Sequence, residues 1–216
     1  MDVIKTPRPI GTGIYLVVDP AMDKLELYDK VDAVLAEAES IAALQIWDHF
    51  DKEEDVPALV EGLCKRCHAH NVPVFINNQW PYLADTPLDG VHFDAIPTDF
   101  GIVQAAVSRP FRYGITCTND MASVHWAHAH QADYISFCSM FPSSTTESCE
   151  IVTPASVRRA RAIYGGPVFL AGGIRPDNVA ELRNLRYSGI AVVSGIMGSD
   201  SPAEAIRHYQ KHISII

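Results

Sequence analysis

Eight short apolar runs, recurring at fairly even spacing, limit what this chain can fold into more than any other feature. They cover residues 14–18, 44–47, 74–76, 91–93, 113–116, 134–138, 168–171 and 191–194. Each is brief and rich in aliphatic or β-branched residues, the mark of a strand buried on both faces. Helical patterns lie between them. Residues 25–40 carry Leu27, Val31, Val34, Leu35 and Ala38 on one stripe, and residues 56–70 carry Leu59, Val60, Leu63 and Cys67. Further helices are expected over 121–130, 154–164, 176–185 and 202–212, three of them opening on a proline, with Thr153 and Asp200 or Ser201 as N-caps. Strand–helix alternation of this kind over 216 residues predicts one (β/α)8 (TIM) barrel spanning 1–216. A doubly wound open sheet is the alternative. It would place a glycine-rich turn after the first strand, where the chain instead reads Val17-Val18-Asp19-Pro20.

The net charge of −9 argues against nucleic acid as a partner, because an acidic surface repels backbone phosphates. It leaves room for a single phosphate held by backbone N–H groups. No apolar run approaches the roughly 20 residues of a membrane helix, so no membrane partner is expected. Five cysteines, an odd number, and an N-terminal stretch without an apolar core point to free thiols and a reducing cytoplasm. A homo-oligomer is compatible with all of this.

In a barrel the site forms just past the C-terminal ends of the strands. Those positions hold Asp19, Gln45, Trp47, His49, Asn77, Asn78, His92, Asp94, Thr116, Thr118, Ser139, Gly172, Gly173, Ser194 and Gly195. The most specific pair is Ala171-Gly172-Gly173-Ile174 after strand seven and Val193-Ser194-Gly195-Ile196 after strand eight. Glycine in both loops lets backbone approach an oxyanion, at the place where barrels commonly hold phosphate. Four hydroxyls in Phe141-Pro142-Ser143-Ser144-Thr145-Thr146 suit a loop wrapping a phosphate. Tight turns and a polar lid are the plainer readings of these loops.

These segments, with Ala132-Asp133-Tyr134-Ile135, Tyr15-Leu16-Val17-Val18-Asp19 and Asp89-Gly90-Val91-His92, resemble the thiamine phosphate synthase / TenI family along nearly the whole chain. The resemblance implies a small phosphorylated substrate, a thiazole phosphate or similar heterocycle, bound by Gln45, Asn77, Thr116, Ser143, Thr145, Gly172, Gly173, Ser194 and Gly195. The family's synthase joins a pyrimidine diphosphate to a thiazole phosphate with magnesium. Its Gln-x-Arg-x-Lys motif stands here as Gln45-Ile46-Trp47-Asp48-His49. Its Asn-Asp pair stands as Asn77-Asn78, its second acidic ligand aligns near Pro97 with Asp94 and Asp99 close by, and a later lysine stands as Thr146. A diphosphate and a hard cation both need that lost charge. The expectation is therefore a diverged member with no certain cofactor, magnesium entering only if the chain is an active synthase. TenI-like proton transfer is the favoured activity, and a non-catalytic phosphate binder is the remaining alternative. In the TenI branch a histidine after strand six is the acid/base group. Ser139 stands at that position, and His49 and His92 are candidate replacements because each sits at a strand end and titrates near neutrality.

Other motifs are read structurally. Cys64-x-x-Cys67-His68-x-His70 falls in a helix without a second ligand pair, so core thiols are expected. His125, His128 and His130 lack the glutamate of a helical zinc motif. Arg158, Arg159 and Arg161 form a solvated face. Neither Cys117 nor Cys138 has a histidine placed by sequence to activate it.

Overall fold

A computed structural model describes residues 6–142 and 150–213. Eight parallel strands close into a barrel in chain order: β1 (Gly13–Val18), β2 (Ile41–Ile46), β3 (Val74–Asn77), β4 (Gly90–Phe93), β5 (Arg112–Cys117), β6 (Tyr134–Phe137), β7 (Val168–Ala171) and β8 (Gly189–Val192). The outer layer is formed by α1 (Lys24–Leu35), α2 (Val56–Ala69), α3 (Phe100–Val107), α4 (Ala122–Ala129), α5 (Pro154–Ile163), α6 (Ser194–Met197) and α7 (Pro202–Gln210). The chain is a TIM barrel.

Local chemistry starts several of these helices. The side chains of Asp23, Asp55, Asp99 and Thr153 each accept a first-turn backbone N–H of α1, α2, α3 and α5, so the N-cap expected at Thr153 is present. The helix expected over 176–185 does not form. Asn178 instead accepts the Arg175 N–H at 2.8 Å and donates to the Gly173 carbonyl at 2.9 Å. That tie leaves only a 3₁₀ turn at Val179–Leu182, matching another at Trp80–Leu83 after β3. The eighth strand ends at Val192, so Ser194 opens α6 rather than closing the strand. The second strand ends at Ile46, which puts Trp47 just past its C-terminal end.

Two cores result from the alternation of side chains along each strand. Outside the sheet, α1 and α2 bury Leu27, Val31, Val34, Leu59, Val60 and Leu63. Cys64 and Cys67 lie in the same layer, fully buried, and burial pushes the Cys67 thiol up to about 12. Inside the barrel, Tyr15, Phe75, Tyr134 and Phe169 fill the bore. Tyr134 meets Phe75 and Phe169 edge-on, at 5.4 and 5.7 Å between ring centroids. Gly114 makes room, since a Cβ there would stand in the Tyr134 ring. Below this layer, at the N-terminal ends of the strands, Arg8 pairs with Asp89. Its backbone N–H and its guanidinium both donate to Asp89 Oδ1, at 2.9 and 3.3 Å, and His68 Nε2 bonds the other carboxylate oxygen at 2.8 Å. Burial raises the Asp89 pKa, but the bonds from His68, Arg8 and Val74 outweigh it and hold the carboxyl below its usual range. Among the described residues no helix is long and apolar enough to cross a membrane.

Candidate functional site

The bore being plugged, the open space lies at the other end, past the C-terminal ends of the strands. A cavity of about 630 Å³ is lined there by Gln45, Asn77, His92, Thr116, Gly172, Gly173, Ser194 and Gly195 together. Eight of the expected site residues therefore share one wall system. Trp47, Asp94, Tyr15, Tyr134 and Arg175 line it as well. His49 and Ser139 do not line it. His49 stacks on the Trp47 ring at 4.1 Å between centroids and lies 3.4 Å from Asp19 Oδ2, on the exposed rim. Ser139 is buried beneath the β7 loop and its hydroxyl donates to the Phe141 carbonyl at 2.9 Å. Ser143 and Thr145 lie outside the described residues.

On the β7–β8 side, Gly172 and Gly173 take φ of +86° and +63°, a region that disfavours any Cβ. Side chains there would also collide: a Cβ on Gly172 would meet Ser139 Oγ, and one on Gly173 the Pro142 carbonyl. Among the described residues nothing accepts from the N–H groups of Gly173, Ser194 and Gly195. Three donors thus border the cavity, which Arg175 also lines, its guanidinium paired with Asp177.

At the cavity floor His92 sits between two hydroxyls. Its Nε2 is 2.9 Å from Thr116 Oγ1, and its Nδ1 is 3.0 Å from the Tyr134 hydroxyl. The Tyr134 hydroxyl is in turn 2.6 Å from that of Tyr15. Burial lowers the His92 pKa to about 4, with Asp94 pulling weakly the other way, so the imidazole is neutral at pH 7. Burial likewise raises both tyrosines, which stay protonated. Tyr15 and Tyr134 were not legible as site residues, because in sequence they look like ordinary apolar strand positions.

On the β2–β4 side, amides replace charge. Gln45 Nε2 donates to Asn77 Oδ1 at 2.7 Å, and Asn77 Nδ2 donates to Asp94 Oδ2 at 2.9 Å. Asn78 Nδ2 donates to Oδ2 of both Asp48 and Asp94, and Asn78 Oδ1 accepts the Asp94 N–H at 3.0 Å. The magnesium implied by the family does not fit this arrangement. An amide N–H₂ group stands between the two carboxylates where a cation would have to stand. Among the described residues no group of three or more His, Cys, Asp or Glu is placed to hold a metal.

Fold and cavity together define a (β/α)8 barrel whose candidate ligand site is its C-terminal mouth. Residues 14–196 match the family model described as thiamine monophosphate synthase, and the chain belongs to that family. A thiamine-phosphate synthase of Xanthomonas campestris pv. campestris is 29% identical over 201 residues, covering 92% of this chain and 94% of its own. One of Halorhodospira halophila is 29% identical over 209 residues, covering 94% of each. Among solved structures, a thiamine phosphate pyrophosphorylase from Pyrococcus furiosus superposes with a TM-score of 0.79 over 93% of this chain and 94% of its own, at 19% identity, a likeness of fold.

Proposed function

We propose that this chain is a diverged, cytoplasmic member of thiamine metabolism that binds a thiazole phosphate or similar heterocyclic monophosphate and acts on it by proton transfer. The observation carrying the reading is the asymmetry of the mouth. Backbone donors without an acceptor among the described residues cluster at Gly173, Ser194 and Gly195, whereas the opposite wall offers amides, Trp47 and Asp94. One phosphate suits the first wall; a diphosphate with magnesium does not suit the second. The ring of a phosphate anchored by the β7 and β8 loops would extend over Thr116 and His92. The neutral imidazole can take a proton from one atom of the ligand at Nε2, in place of the Thr116 hydroxyl, and return it to another, while Nδ1 stays bonded to the Tyr134 hydroxyl throughout. That supports tautomerisation, which moves a proton without consuming one.

Synthase activity is the second reading, and the names of the curated relatives favour it. Against it stand Trp47, His49 and Asn78, where the family's synthase carries arginine, lysine and aspartate.

The test is thermal stability in a titration of thiazole phosphate, with inorganic phosphate alongside. At a hundred times its dissociation constant a ligand should add roughly 2.7 kcal/mol. Gly173→Val should abolish that gain, because its Cβ would run into the Pro142 carbonyl and displace the β7 loop. A wild type that no phosphate stabilises, or robust production of thiamine phosphate from the two synthase substrates, would overturn the reading.

A further inference from the structure

We infer that Ser136 is a ligand-binding residue whose hydroxyl gives the floor of the mouth a hydrogen bond for a neutral oxygen carried on the ring of the ligand. The inference rests on the mouth being the ligand site, as proposed above. Along β6 successive side chains face opposite ways, and Ile135 and Phe137 enter the core outside the sheet. Tyr134, Ser136 and Cys138 therefore point inward, and all three line the cavity. Tyr134 belongs to the plug of rings in the bore. Ser136 stands two residues nearer the mouth and is 7% exposed.

The Ser136 hydroxyl bonds no described residue. Nor is it sealed in, since among the described residues Arg8 Nε is the buried side-chain polar atom without a partner. The hydroxyl thus opens on the cavity with its hydrogen bond still to give. Covering it with an apolar surface costs free energy, so a ligand seated on the floor has to bond it or bear that cost.

The surroundings define what the ligand brings. Ser136 pairs in the sheet with Thr116, whose hydroxyl is 2.9 Å from His92 Nε2. Neighbouring strands lie about 4.8 Å apart, so the Ser136 hydroxyl and the imidazole nitrogen serve nearby atoms of one ring. On the arc of β7, β8 and β1 the lining side chains at this depth are Ala171, Ala191 and Val17, which carry no polar group. A floor polar on one arc and apolar on the other fixes how a flat ring is turned about its phosphate anchor. Charge narrows the class further. His92 is neutral, and Arg175, held by Asp177, is the one lysine or arginine lining the cavity among the described residues. A carboxylate on the ring would meet no cation at β6, whereas a hydroxyl or carbonyl oxygen needs only the Ser136 hydroxyl.

The experiment uses the full chain and probes that share one anchor: phenethyl phosphate, its ortho, meta and para hydroxy isomers, and the matching ring carboxylates. Calorimetric titration gives each affinity, and thermal melting is read on the same samples. In the wild type the best-placed hydroxy isomer should bind about fivefold more tightly than the unsubstituted probe, the worth of one neutral hydrogen bond, and no carboxylate should gain. Ser136→Ala should bring that ratio to one without weakening the unsubstituted probe or lowering the melting temperature, because the hydroxyl supports nothing in the fold. A wild type that binds the unsubstituted probe yet gains from no hydroxyl overturns the inference, and so does a gain that survives Ser136→Ala. A carboxylate gain equal to the hydroxyl gain overturns the neutral class. A lowered melting temperature with an unchanged ratio overturns the binding role, because it marks a hydroxyl that serves the fold. Failure of every probe and of inorganic phosphate to bind sinks the phosphate reading and this one with it, whereas loss of the hydroxyl gain alone sinks only the role of Ser136.

Discussion

The amide nitrogen of Asn78 lies 2.9 Å from Asp48 Oδ2 and 2.8 Å from Asp94 Oδ2. Replacing that amide by a carboxylate would turn two donor contacts into repulsions and leave three carboxylates facing one point. Such a cluster is tolerable only around a cation. Asn78→Asp should therefore create a magnesium site that the wild type lacks, read by calorimetry with pyrophosphate present. Adding Trp47→Arg and His49→Lys returns the charge that a diphosphate needs. Charged hydrogen bonds are worth about 1.5–3 kcal/mol each, so the triple variant should bind the pyrimidine diphosphate at least tenfold more tightly. A tight magnesium site in the wild type, or no gain in the triple variant, would show that these three positions are not what separates this mouth from a diphosphate site. Trp47 also fills space beside Gln45, so Trp47→Ala measured alone separates steric exclusion from missing charge.

At the scale of elements, a polar network ties the start of α5 to the loop after β5. Thr153 caps α5 through the Ser156 N–H, Asn119 Oδ1 accepts both the Thr153 N–H and the Ser156 hydroxyl, and Asn119 Nδ2 donates to the Ile151 carbonyl. Thr153→Ala should cost about 1 kcal/mol in urea unfolding, the usual worth of an N-cap, with little effect on phosphate binding. A loss of phosphate binding larger than the loss of stability would mean the cap also shapes the mouth. The strands themselves were legible because burial on both faces leaves a nearly unbroken apolar run. Phe100–Val107 escaped notice as a helix, since its eight residues contain one polar side chain, Gln104, and no amphipathic stripe. The residues 176–185 misled in the opposite sense, as Asn178 spends its amide on the Gly173 loop instead of a helix. The glycine loops could be read because their chemistry is local. The hydrogen bonds from Gln45 through Asn77 to Asp94 could not, because these residues come from three different strand ends and only closure of the barrel brings them together.

Across the whole molecule, burial of His92 links stability to pH. Its folded pKa is depressed to about 4, against 6.5 for the exposed side chain. Between these values the unfolded chain binds a proton that the folded chain refuses, so stability is full above about pH 6.5 and falls as pH drops toward 4. The loss attributable to this one group is roughly 3 kcal/mol at the low end of that window. Urea unfolding at pH 7 and pH 4.5 should show it, and His92→Gln should flatten the difference by a comparable amount. An unchanged pH dependence in that variant would place the histidine in water rather than in the barrel.

The four aromatic rings in the bore have a consequence for traffic. With Arg8 bonded to Asp89 at the N-terminal strand ends and the rings filling the middle, the cavity among the described residues is entered from the C-terminal mouth. The hydroxyls of Tyr134 and Tyr15 bond each other in this buried layer, and burial keeps both protonated, so nothing beneath His92 is ready to accept a proton. A proton that His92 takes up must go back to the ligand. Chemistry that leaves the molecule's proton count unchanged is what a closed account of this kind can support, and a reaction needing steady supply from below would find none.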